Sequence, residues 1–266
     1  MPVEANATLV EGARMNTLRL LSYNIQIGIT TRTYRQYLTH SWKHLVHHPQ
    51  RFDNLDRIAR LMSEYDLVGI QEADAGSARS GFVNITQYLA NSAGFPYWDD
   101  QTNRRIGRFA QHSLGVLSRY RPSGITEHRL PGRIPGRGAM AVRFGDGDES
   151  LVVLIVHLAL SRRGRLSQLD YLSELINQYR HVVMMGDMNC RSDSDEIERL
   201  VNRTLMSEPL HGMNTFPSWR PKRNIDHILV TPTVQVEHAE VLDYPLSDHL
   251  PISMEVALPD SVDLRP

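Results

Sequence analysis

Short runs rich in Val, Ile and Leu recur along the chain, and they constrain its fold more than any other feature. Nine have strand length: 18–25, 66–71, 113–118, 139–144, 151–157, 181–185, 227–230, 234–241 and 251–256. Apolar residues at helical spacing are confined to fewer segments. Leu55, Ile58, Ala59 and Met62 predict a helix over 54–64, a second falls at 84–93, and Leu166, Leu169, Leu172, Leu175 and Ile176 predict a third over 165–179. Strands outnumber helices, so the expected α/β architecture stacks two sheets with helices on the outside.

The 266 residues show no internal repeat, no low-complexity tract and no linker that would divide them. One domain over 17–258 is expected, preceded by a polar arm (1–16) and followed by a tail (259–266). The formal net charge of −1 gives no global attraction to nucleic acid or an anionic membrane. A polyanion would have to be held by local clusters. Cys190 is the only cysteine, which excludes an intramolecular disulfide and suits a reducing compartment. The first residues lack the basic and apolar regions of a secretory signal, and LVVLIVHLAL, the longest apolar run, is too short to span a bilayer. A cytoplasmic protein without a transmembrane segment is expected.

Polar residues stand at the ends of these apolar runs. Asn24 closes LRLLSYN, Glu72 follows LVGIQ, His157 ends LVVLIVH, Asp187 and Asn189 follow VVMMG, Asp226 precedes HILV, and Asp248 and His249 precede LPISMEV. Singly, each has a plain explanation, because Asn and Asp end strands and open turns through bonds to nearby backbone. Together they imply more. Half-buried carboxylates repel one another and lose hydration unless a cation or a donor compensates. Carboxylates with an amide, and no cysteine or paired histidine at ligand spacing, describe a site for Mg²⁺ or Mn²⁺ and not structural zinc.

The ordered set SYNIQ, GIQEAD, VHLAL, GDMN, NIDHILV and LSDHLPI resembles the endonuclease/exonuclease/phosphatase superfamily from about residue 18 to residue 256. The resemblance implies a four-layer α/β/β/α sandwich of two packed mixed sheets, with strand ends converging on one metal-dependent phosphoester site. It implies Glu72, Asn24 and Asp248 on the metal side. Asp187 would orient or deprotonate the attacking water, and Asn189 would donate to the phosphate or the nucleophile. His249 would act as acid or charge stabiliser with Asp226 fixing its tautomer, and His157 would bind the phosphate or assist departure.

Arginines gather in four segments read as loops that rim such a site: 103–108, 130–138, 161–165 and 219–223. Each could merely solvate a loop, but four of them favour an anionic substrate with several phosphate contacts. The expected activity is a divalent-metal-dependent phosphoester hydrolase acting on nucleic acid. The alternatives are a phospholipid or sphingomyelin-type phosphodiesterase, an inositol-phosphate or nucleotide phosphatase, and a catalytically silent scaffold. Apart from Phe216 and Trp219 the loops look poor in aromatic residues, which ranks nucleic acid above lipid. His40, His44, His47 and His48 share a helical face but read more simply as solvated surface. A nucleophilic role for Cys190 is disfavoured by its GDMN context.

Overall fold

The computed structural model describes residues 16–28, 50–107, 109–132 and 137–265. The histidine segment 40–48, Trp42, Arg108 and Arg133 lie outside the described residues. Eleven strands form two sheets. The first has the order β10 (Gln235–Val241), β11 (Ile252–Leu258), β1 (Asn16–Asn24), β2 (Leu67–Asp74), β4 (Ala110–Ser118) and β3 (Tyr97–Ile106). The second runs β5 (Gly124–Arg129), β6 (Gly138–Phe144), β7 (Leu151–His157), β8 (His181–Asp187) and β9 (Asp226–Val230). Both are mixed, because β1–β2 and β7–β8 pair in parallel and every other ladder is antiparallel.

Side-chain alternation along each strand divides the interior into three cores. On β7, Leu151, Val153 and Ile155 enter the core between the sheets, while Val152, Leu154 and Val156 enter a second core under α3 (Arg162–Ile176) and α4 (Asp195–Thr204). On β1, Leu18 and Leu20 face the other sheet, whereas Leu21 and Tyr23 face α1 (Gln50–Met62) and α2 (Ile85–Ala93). The result is the expected α/β/β/α sandwich. A strand covered on both faces must be apolar at every position, and LVVLIV is.

Three elements escaped the sequence reading. The edge strands β3 and β5 are largely polar because an edge is half solvated. Half of the residues of α4 are charged, and it buries a narrow stripe of Glu196, Ile197, Leu200 and Thr204, although its Ser194 cap and acidic first turn are signals. Two arginine segments also differ from the loops expected. Arg104 and Arg105 lie on β3, and Arg162 and Arg165 lie in the first turn of α3, paired at 2.8 Å with Asp195 and Glu196 of α4. Residues 259–265 fold back as well: Val262 is buried in the inter-sheet core and Arg265 O accepts from Arg121 N at 2.7 Å. Among the described residues no helix is long and apolar enough to cross a membrane.

Candidate active site

Three neighbouring strands each end on one polar residue in a single register row. His157 stands opposite Asp187 across β7–β8, and Asp187 opposite Asp226 across β8–β9. Strands lie about 4.8 Å apart, so side chains in one row on one face touch. The row continues the face of Ile155, Met185 and Ile228, which belong to the inter-sheet core. The polar row is therefore the rim of that core. Gly186 lets β8 approach β7 here: its φ is +146°, and a Cβ would lie 2.0 Å from the Val156 carbonyl oxygen.

The first sheet supplies Asn24 and Glu72. Asn24 ends β1 on the face of Leu20, and its Nδ2 crosses the sandwich to donate to Asp187 Oδ2 at 3.2 Å. Strict alternation would point Glu72 toward the helices with Val68 and Ile70. Instead the register against β4 shifts between Ile70 and Ala73, Glu72 takes φ +56°, and Ala73 returns to the helix side. The bulge re-aims Glu72 into the site, where Oε1 lies 3.9 Å from His157 Nε2. Two residues on, the chain is anchored in the turn beyond: Asp74, fully buried, accepts from Ser77 N at 2.7 Å, Gly76 N at 3.0 Å, Ser80 Oγ at 2.9 Å and Arg79 Nε at 2.5 Å.

Asn189 answers for the turn after β8. It takes φ +54°, its backbone N donates to Asp187 Oδ1 at 2.9 Å, and its Nδ2 donates to Leu158 O at 3.0 Å. One amide hydrogen is thus spent on backbone and the other stays available to a ligand. His249 Nδ1 faces Asp226 at 2.8 and 3.0 Å, and the Asp226 carboxylate also accepts from buried Thr215. Phe216 packs against the imidazole with centroids 4.8 Å apart, so it is not an open aromatic surface. Asp248 is buried beside them and accepts from Ser247 Oγ at 3.2 Å.

The charges respond to this crowding. Burial, and then the neighbouring Asp226 charge, push the Asp187 carboxyl up to about 6 against the opposing pull of His249. Burial also raises Asp248 to about 6 and raises Glu72, each opposed by His249. Burial alone would lower His249, but Asp226, Asp248 and Asp187 hold it well above the usual histidine range. His157 goes the other way, well below that range, through burial and the Arg137 charge. Burial pushes the Cys190 thiol up to about 12, which leaves it inert as a nucleophile.

Arg137 corrects an expectation. The sequence groups it with the loop arginines of 130–138 as a rim residue, yet its Nη1 lies 2.7 Å from His157 Nε2 and its charge is felt by Asp187 and Glu72. Its only signal in the sequence was its position one residue before a strand. His112 was missed altogether. It pairs in register with Asp74 on β4, and burial with the Arg79 charge lowers it to about 4. The loops also carry more aromatic surface than expected, since Phe82 and Phe109 are each 70% exposed beside the Asp74 turn.

The donor set fits a hard cation. Glu72, Asp187 and Asp248 present carboxylate oxygens of the kind a hard cation takes, and burial raises all three carboxyls. Among the described residues, Asp187, Asp226 and His249 also bring ligand atoms within 4.8 Å of one another. Asp226 and His249 spend those atoms on each other.

A family model described as the Endonuclease/Exonuclease/phosphatase family matches residues 21–249. No curated protein sequence matches the chain significantly. Among solved structures, the chain is similar to an endonuclease/exonuclease/phosphatase from Beutenbergia cavernae (19% identity, TM-score 0.70, 92% of this chain and 72% of that one). It is also similar to the mannosyl-6-phosphatase Bt3783 of Bacteroides thetaiotaomicron (15%, 0.68, 91% and 100%) and to the human Nocturnin catalytic domain with bound sulfate (15%, 0.66, 91% and 94%). At these identities the likeness speaks for the fold.

Proposed function

Because the chain belongs to the Endonuclease/Exonuclease/phosphatase family, whose members hydrolyse phosphoesters, we propose that it is a divalent-metal-dependent nuclease cleaving phosphodiester bonds. The observation that carries the hydrolytic reading is the grip on Asp187, pushed up to about 6, by Asn24 Nδ2 from the facing sheet and by the backbone N of Asn189 at 2.9 Å. A carboxylate with that proton affinity, held from two sides, suits a general base. Glu72 and Asp248, with Asn24 beside them, would hold Mg²⁺ or Mn²⁺. Such an ion supplies positive charge against the phosphoryl oxygens.

The chain's own residues do the rest. Asp187 takes the proton of the attacking water while Asn24 fixes its orientation. Asn189 donates its remaining amide hydrogen to the phosphate. His249, kept protonated by Asp226, stabilises charge on the departing oxygen and can return a proton to it. Arg137 neutralises a nonbridging oxygen, with His157 as its acceptor and support.

Nucleic acid is the preferred substrate because arginines border the site. Phe82 and Phe109 favour a second reading, a phospholipid phosphodiesterase, since exposed aromatic side chains can enter a bilayer surface. A panel of single- and double-stranded DNA, RNA, sphingomyelin vesicles, phosphoinositides and sugar phosphates, run with Mg²⁺, Mn²⁺ and EDTA, tests both. Turnover of the vesicles with none of any nucleic acid would replace the first reading by the second, and full turnover in EDTA would remove the metal.

A further inference from the structure

The outermost strands β3 and β5, one from each sheet, end on the same flank of the sandwich, where Gln101 Nε2 donates to the His128 carbonyl at 3.2 Å. Beside that tie the edges part into a cleft of about 610 Å³ whose lining includes Arg104, Arg105, Arg129, Asp100 and Glu127. A regular strand would send Arg104 and Arg105 to opposite faces. The register of β3 slips between Thr102 and Arg104, and residues on both sides of the slip, Thr102 with Arg104 and Arg105, line the cleft.

All three arginines are exposed, and none has an ion-pair partner among the described residues. Of the two acids, Asp100 already accepts from Asn84 at 2.7 Å. Three guanidinium groups against two carboxylates leave the cleft net positive, and since no ion pair fixes the arginines an anion between them is favourable. The cleft also connects with the catalytic end. Arg104 pairs in register with His112, and His112 with Asp74, so Arg104 stands two strands, on the order of 10 Å, from the end of β2 that carries Glu72. A single phosphoester in the site cannot span that distance.

We propose that the cleft between β3 and β5 is a subsite for a further phosphate of a phosphodiester chain, with Arg105 and Arg129 binding that phosphate and Arg104 bridging toward the reacting one. This rests on the nuclease reading and adds a length requirement to it: the substrate is a strand, not a lone diester.

The test uses the full chain and a fluorescein-labelled eight-nucleotide single strand, followed by anisotropy in EDTA over a range of salt. The variant Arg105→Ala/Arg129→Ala should weaken binding at least tenfold and reduce the slope of log Kd against log salt by about 0.7, the share of the one phosphate they hold. Arg105→Lys/Arg129→Lys should keep most of the slope, and turnover of a dinucleotide with one phosphodiester should change less than about twofold in either variant. Equal Kd and slope in wild type and the alanine variant overturn the subsite, as does the absence of measurable binding by wild type. Binding without cleavage when Mg²⁺ is added leaves the subsite standing and removes the nuclease reading. Cleavage of the strand with an unchanged variant Kd does the reverse.

Discussion

Asn24 and Asp187 belong to opposite sheets, yet Nδ2 of one donates to Oδ2 of the other at 3.2 Å. The contact closes the sandwich at its polar end and removes one rotational freedom from the carboxylate. Replacing Asn24 by Ala should lower kcat by about tenfold or more, since a freed base spends less time aligned. The loss of a donor should also raise the carboxyl further. The acidic limb of the pH–rate profile should then move to higher pH, and an unmoved limb would separate Asn24 from Asp187.

Metal binding should be coupled to pH through the carboxyls on the metal side. Asp248 sits near 6 in the folded chain, against about 3.9 for an unperturbed aspartate, and burial raises Glu72 as well. A raised carboxyl favours folding while protonated, so the metal-free protein should lose stability as pH rises from about 4 through about 6. A divalent cation takes the place of those protons, so its stabilisation should grow over the same range. Thermal melts in EDTA and in excess Mg²⁺, at about pH 5 and about pH 7.5, measure this. Equal metal-induced shifts at both would exclude these carboxyls as ligands.

The Asp226–His249 pair should act as one unit. His249→Ala and Asp226→Asn should each cost on the order of 10²-fold in kcat, and the double variant should be scarcely worse than His249→Ala alone. His249 is raised above its ordinary value and active while protonated, so activity should fall as pH climbs through its folded pKa. Asp226→Asn should bring that alkaline limb down. Strictly additive losses would show two independent roles.

Arg137 and Arg105 should separate in a simple kinetic comparison. Arg137 lies against His157, so Arg137→Ala should reduce kcat even on a minimal phosphodiester, by about tenfold to a hundredfold. Arg105→Ala should leave that substrate nearly untouched. Equal losses on the minimal ester would mean that the flank and the centre are not distinct.

Gly186→Ala tests the packing of the row. The added methyl would meet the Val156 carbonyl at 2.0 Å, in a backbone conformation with φ +146° that side chains avoid. A loss of about 3 kcal/mol or more is expected in urea unfolding, large enough to lower soluble yield.

The sequence made the central strands legible because burial on both faces leaves an unbroken apolar signal, as in LVVLIVH and HVVMM. Every strand-end residue singled out, from Asn24 to His249, does come to one end of the sandwich. What was hidden depended on non-local registers. Nothing in GIQEAD announces the slip that turns Glu72 away from the helices, and in LPGRIPGRG only its place just before a strand sets Arg137, which is pinned to His157, apart from a solvated arginine. Likewise β3 and β5 are polar because they are edges, and being an edge is a property of the assembled sheet.

The ladder between β1 and β11 runs from Asn16 opposite Leu258 to Ser22 opposite Ile252, in the middle of the first sheet. During synthesis β1 leaves the ribosome long before the strand that must lie beside it, and β2 alone flanks it on the other side. Its apolar positions therefore wait without their partner until the strand over 252–258 has emerged. Pairing residues so far apart in sequence argues for slow, late assembly in which the nascent protein depends on protection of this strand from other chains.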